Sequence, residues 1–442
     1  VERLPMSVSA DLHAAGTRDR LRDLVTSARW ETILAEAALV VIGLHILDDN
    51  FFQPQPGTSA GDHLVSGLVP FAVLLVLAAL YPRLRPGVRA SIAAVVGLFG
   101  VAAGIEGLYY AHSGRLSGDD YTGIAAALAG VVLIGLAVAT LLRSRRTDGS
   151  LPWRWVRRVL VAAGAFVVGY VILVPFLSAY VLTHTARAFV PTPRLGAKHE
   201  DVSFTTADGL RLQGWYVPSR NGAAVISFAG RKGTQKPARL LARHGYGVLL
   251  FDRRGEGESE GDPNGWGWQG YRDVDAAVRY LQRRPDVERA RIGGIGLSVG
   301  GEMMLEAAAK SRGLKAVVSE GAGERSIHEF LDITGSSKWP ALPSYAASTA
   351  GAALFSNDKP PPSLKDLVAR IDGTPVFFIY GEHGQDGERN LNPTYYRETG
   401  QSKKIWEVPG SGHVGGIDAQ PREYERRVIR FFDDALLEHS VR

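Results

Sequence analysis

The 442-residue chain has no cysteine. Disulfide staples, iron–sulfur clusters and thiolate zinc sites are therefore excluded. Lysine is missing from the first 197 residues, and all ten lysines fall at or after Lys198. A net charge of +5 with no basic tract argues against a nucleic-acid partner. The mean hydropathy is near zero, as in many water-soluble proteins, but it averages two unlike halves.

The first half consists largely of uncharged apolar runs. Leu64–Tyr81, Ala90–Ala111, Tyr121–Leu142 and Val159–Thr183 each approach or exceed the roughly 20 apolar residues that a membrane-spanning helix needs. Trp30–Leu47, as short as Leu64–Tyr81, is a fifth candidate and carries Glu36. Arginine alternates between the connecting segments. Five precede the first run, and the next loops hold none, three, one and six. Because arginine gathers on the cytoplasmic side, this predicts five spans, a cytoplasmic N-terminal tail and an extracytoplasmic second half. The expected order is a tail over 1–29, a membrane region over 30–183, a tether over 184–200 and a globular domain over 201–442. Glu36 and Glu106 lie within about two turns of a segment end, where water reaches an ionisable group. The outer loops gather His45, Asp48, Asp49, Asp62, His63, His112, Asp119 and Asp120, and these read as acid-rich loops without an assigned metal.

After Thr183 the pattern alternates. Asp201–Thr206 and Leu210–Val217 read as a hairpin turned at Asp208-Gly209. Apolar strands follow at Ala223–Phe228, Val248–Asp252, Ile292–Gly296, Ala316–Ser319, Val376–Tyr380 and Ile405–Val408. Helical segments separate most of them and close the chain at Pro421–Leu437. This is the signature of an α/β domain with a mostly parallel sheet of about eight strands, covered by helices on both faces. In such sheets functional side chains come from loops beyond the strand ends. From about 321 to 372 the rhythm lapses, and the stretch reads as a lid insertion.

Two strings fit Gly-x-Ser-x-Gly, around Ser259 and around Ser298. Ser298 follows an apolar strand directly and opens a helix, so a tight elbow pushes its hydroxyl outward. Ser259 lies in a charged loop and opens no apolar helix. A serine nucleophile needs a base, and His413 stands in the loop after the last strand. The acid that orients the base should follow the preceding strand. There Glu388, Asp386 and Glu382 all qualify, with Glu388 favoured slightly over Asp386. An oxyanion hole is expected from the N–H of Val299 and from Gly230 or Arg231, beyond the strand Ala223–Phe228.

With these residues the second half resembles the α/β-hydrolase superfamily, in its esterase and serine-aminopeptidase-like branches. Asp252-Arg253-Arg254-Gly255-Glu256-Gly257-Glu258-Ser259-Glu260-Gly261 looks like that group's D-x-R-G-x-G-x-S-x-G loop, and Phe204–Pro218 looks like its entry hairpin. Two positions depart from the family pattern: Ala229-Gly230 stands where His-Gly is usual, and Gly384 where an aspartate is common. The resemblance implies a Ser–His–acid triad that cleaves an ester, thioester or amide without a cofactor. The expected partners are the lipid bilayer and a small-molecule or lipid-like acyl substrate. The competing reading is a membrane transport or sensing protein whose hydrolase-like domain only binds a ligand.

Overall fold

The computed structural model describes residues 28–144, 150–400 and 402–437. Most of the expected tail, with Arg3, Arg18, Arg20 and Arg22, lies outside them, as do Arg145 and Arg146. The described residues divide into two compact units, one within 1–53 and 64–165, the other within 54–63 and 166–442.

The first unit is built on α1 (Ala28–Leu47), α2 (Leu64–Leu80), α3 (Pro86–Ser113) and α4 (Gly118–Arg143). With Leu151–Thr183, five helices among the described residues are long and apolar enough to cross a membrane. Glycine lets α3 and α4 approach closely: a Cβ on Gly97 would lie 2.8 Å from the Gly130 carbonyl oxygen, and one on Gly130 2.5 Å from that of Gly97. Small residues at a helix crossing are how apolar helices pack where water supplies no driving force. The outer-loop acids serve local structure. Ser117 and Asp120 form a capping box on α4, and Asp48 accepts hydrogen bonds from Gln53 and from Thr122, whose Oγ1 also meets His45 Nδ1 at 3.1 Å.

The second unit holds one eight-stranded sheet in the order β1-β2-β4-β3-β5-β6-β7-β8. The strands are β1 (Glu200–Thr205), β2 (Arg211–Val217), β3 (Ala224–Phe228), β4 (Gly247–Phe251), β5 (Ile292–Leu297), β6 (Ala316–Glu320), β7 (Val376–Gly381) and β8 (Lys403–Val408). The first two form the antiparallel hairpin, β2 is antiparallel to β4, and the rest run parallel. Helices α8 (Tyr271–Leu281), α9 (Val299–Lys310), α12 (Leu364–Val368) and α13 (Asp386–Glu398) pack on one face. Helices α7 (Lys236–Arg243) and α15 (Pro421–Phe432) cover the other. The central strands β3 to β6 are buried almost throughout, which is why they read as unbroken apolar runs.

Three local features differ from the sequence reading. The lid insertion is helical: α10 (Ile327–Asp332), α11 (Lys338–Ser356) and α12 lie within it. Its prolines and alanines carry no clear period, which hides these helices from a pattern search. The helix that carries the last apolar run begins at Leu151, ahead of Val159, as α5 (Leu151–Val168). It passes through a π-turn at Gly169–Leu173 into α6 (Val174–Thr183). Pro175 lacks the N–H that a regular helix needs there, and the wider turn absorbs the fault. The expected tether, finally, is tied down. Leu195 is buried, and Arg187 donates to the carbonyl oxygens of Ser259 and Gly261 and to Gln55 Oε1. Gly261 N–H also donates to Pro56 O. The loop Pro54–His63 thus packs on the α/β domain.

Candidate active site

The first element is the corner at Ser298. Strand β5 turns into α9 with Ser298 at φ 52° and ψ −124°, a strained conformation costing about 1–3 kcal/mol. Its neighbours must be glycine. A Cβ on Gly296 would fall 2.1 Å from Gly300 O, and one on Gly300 2.4 Å from the Phe228 ring. The Ser298 N–H donates to Glu320 O on β6 at 2.8 Å, which anchors the corner to the sheet.

His413 lies in the loop after β8, and Val414 beside it holds φ 47°, an outlier for a β-branched residue. Its Nε2 is 2.9 Å from Ser298 Oγ. Its Nδ1 is 2.6 Å from Glu388 Oε2. Glu388 is buried on the first turn of α13, where its Oε1 accepts the Gly381 N–H at 2.9 Å. The glutamate hydrogen bond, followed by the charges of Glu388, Glu320 and Glu302, raises the His413 pKa above its usual value; burial opposes this.

Of the three acids left open by the sequence, the structure brings Glu388 to His413. Asp386 points to the surface and pairs with Arg389 at 2.7 Å. Glu382 is exposed and accepts the Gly410 N–H at 2.8 Å, joining the acid loop to the histidine loop. The unusual Gly384 has a steric reason. A Cβ there would lie 2.6 Å from the Glu388 carboxylate, so the missing side chain leaves room for an acid reaching in from four residues later.

The two donors expected from the loop after β3 differ in their surroundings. The N–H of Arg231 donates to Asp252 Oδ1 at 2.6 Å, and its Nε to Oδ2 at 2.8 Å. That donor is occupied, which leaves Gly230, at φ 68°, as the candidate from this loop. Val299 is the first residue of α9, where a backbone N–H has no intrahelical acceptor.

Sequence reasoning missed several neighbours. Glu320 ends the otherwise uncharged strand β6 and is buried. It accepts from Tyr424 Oη at 2.7 Å and from the Gly416 N–H at 2.9 Å, three residues past His413. An acid closing a buried apolar strand was the available signal. Glu302, one turn beyond Ser298, is pushed up to about 7 by burial, against the attraction of Arg325. Glu302 lines a cavity of about 220 Å³ around Ser298 and His413, with Trp266, Trp268 and Tyr345. Nothing in the sequence placed these side chains together, because they come from separate connections. Among the described residues no group of three or more His, Asp or Glu is placed to hold a metal.

The X-Pro dipeptidyl-peptidase (S15 family) profile matches residues 194–414. The chain is 28% identical to the uncharacterised protein YfhR of Salmonella typhi over 270 residues, covering 57% of this chain and 86% of that one. It is 35% identical to an uncharacterised protein of Mycobacterium tuberculosis over 220 residues, covering 48% of this chain and 72% of the relative. Among solved structures, an esterase of Pyrococcus furiosus superimposes with a TM-score of 0.46 at 22% identity, over 57% of this chain and 98% of its own.

Proposed function

We propose that this chain, which belongs to the X-Pro dipeptidyl-peptidase (S15) family and is a membrane-held serine hydrolase, works through Ser298, His413 and Glu388. The observation that carries this reading is the unbroken chain from Ser298 Oγ to His413 Nε2 and from Nδ1 to Glu388, at 2.9 and 2.6 Å. Ser298 attacks the carbonyl carbon of an ester, thioester or amide while His413 takes its proton. Glu388 fixes the imidazole tautomer and stabilises the imidazolium. The N–H groups of Val299 and Gly230 receive the developing oxyanion, each worth about 3 kcal/mol. His413 then protonates the leaving group, and water activated by the same imidazole releases the acid.

The arginine alternation supports a catalytic domain outside the cytoplasm, and the five spans support an acyl substrate that is lipid-like or close to the membrane. A fluorophosphonate probe tests the chemistry: the wild type labels and Ser298→Ala does not. A folded wild type that stays unlabelled would turn the reading to a ligand-binding module. An alkaline phosphatase fused after Leu437 tests the side, and is active only if the domain is extracytoplasmic.

A further inference from the structure

The last span is longer than a bilayer requires. Leu151–Thr183 is a 33-residue helical run, about 50 Å long against a hydrocarbon core of about 30 Å. Its first turns carry Arg154, Arg157 and Arg158, and the apolar part, Val159–Thr183, reaches about 37 Å, so its last turn or two lie beyond the hydrocarbon core. The remainder of the run, 169–183, contains no charged residue.

Helix α11 of the lid covers part of that remainder. Gly351 packs on Ala179 and Phe176, where a Cβ would lie 2.8 Å from the Ala179 Cβ. The Phe355 ring meets Tyr180 edge-on at 5.4 Å. From Trp339 to Ser356 the helix has no charged residue, yet only Gly351 and Ala352 within it are buried. Trp339 is 60% exposed, and on the adjoining helix Tyr170 and Val174 are 60% and 53% exposed. An uncharged, apolar two-helix surface is costly in water and suits the lipid interface, where tryptophan and tyrosine concentrate.

One of these elements lines the cavity at Ser298 and the other adjoins it. Tyr345, Ser348 and Thr349 of α11 line the catalytic cavity. Leu182 O accepts the Gly265 N–H at 2.9 Å, next to the cavity residues Trp266 and Trp268.

We propose that α11 and the outer end of the Leu151–Thr183 helix, about residues 176–183, form a platform in the lipid headgroup layer, through which the cavity draws its acyl substrate from the bilayer. The platform continues an established membrane span. The delivery step rests on the cavity being the active site, so the test has two readouts.

The cysteine-free chain makes the first clean. Full-length Trp339→Cys and Ala341→Cys, with Asp372→Cys as an exposed control, are labelled with nitrobenzoxadiazole in phosphatidylcholine–phosphatidylglycerol nanodiscs. Shallow spin-labelled lipid should quench positions 339 and 341 about threefold more than 372, while iodide quenches 372 best. Labels at 339 and 341 that behave like the one at 372 would overturn the platform. The second readout is Trp339→Glu. It should slow hydrolysis of a long-chain nitrophenyl ester held in the nanodisc about tenfold, and change that of soluble nitrophenyl acetate less than about twofold. Equal loss on both esters would refute delivery from the bilayer. A wild type inactive on both would refute the catalytic reading and leave the quenching result to decide the platform.

Discussion

Ser259 and Ser298 occupy the same five-residue string, Gly-x-Ser-x-Gly, within one domain. Their surroundings are opposite. Ser298 sits on a strained corner with its hydroxyl shared with His413. Ser259 is fully buried, donates to Asp252 O at 2.6 Å and accepts the Gln213 N–H at 3.0 Å, holding its loop to the β2 edge. One hydroxyl is kept available and the other is consumed by structure. The string specifies a turn that admits serine; the flanking strand and helix decide whether the hydroxyl is available for chemistry.

The largest effect should come from exchanging the two. Ser298→Ala should lower kcat/KM about 10⁴-fold or more while the melting temperature stays within a few degrees. Ser259→Ala should do the reverse, costing about 1–3 kcal/mol of stability through two unmade buried hydrogen bonds and leaving the folded enzyme active. Steady-state kinetics and thermal melts on both variants check this. If Ser259→Ala abolishes turnover in a folded protein, the contrast fails.

Legibility of the sequence followed the same division. The strands, the elbow serine and the terminal histidine could be read because each depends on local order: an apolar run, two glycines, a loop after the last strand. The acid could not be singled out, since Glu388, Asp386 and Glu382 share one loop and only the start of α13 aims one of them inward. The choice between Gly230 and Arg231 turns on a long-range contact. Asp252 on the neighbouring connection takes the Arg231 N–H, and no spacing in the sequence records that pairing. The long apolar helices were legible from apolar length, whereas the packing of α11 on residues 169–183 depends on Gly351 and Ala179 meeting across a long separation.

A second comparison lies within the acid loop. Glu388→Gln should keep the packing but lose the charge that stabilises the imidazolium, lowering kcat about 10³–10⁴-fold. Asp386→Asn, at the surface, should stay within about twofold of wild type. Gly384→Ala should fall between them, at about 10–100-fold, because its Cβ displaces the Glu388 carboxylate. A Gly384→Ala enzyme with wild-type rates would show that Glu388 reaches His413 by a route unlike the one described.

The smallest effect contrasts Glu388 with Glu320, the two carboxylates whose charge His413 feels most. Both raise its pKa, so the neutral imidazole that accepts the serine proton forms only as pH rises through a value above 6.5. The acid limb of kcat/KM should therefore have its midpoint above 6.5. Glu320→Gln removes one negative charge that favours imidazolium. Its amide can still accept the Gly416 N–H and donate to Tyr424 Oη, so the histidine loop stays in place. Glu388 and Glu302 continue to face the ring from α13 and α9. The midpoint should move to lower pH by about half a unit, with the alkaline plateau reduced only a few-fold. A loop-holding role alone would lower the plateau and leave the midpoint fixed. The pH profile thus separates the charge of Glu320 from its hydrogen bonds, which a rate measured at a single pH cannot do.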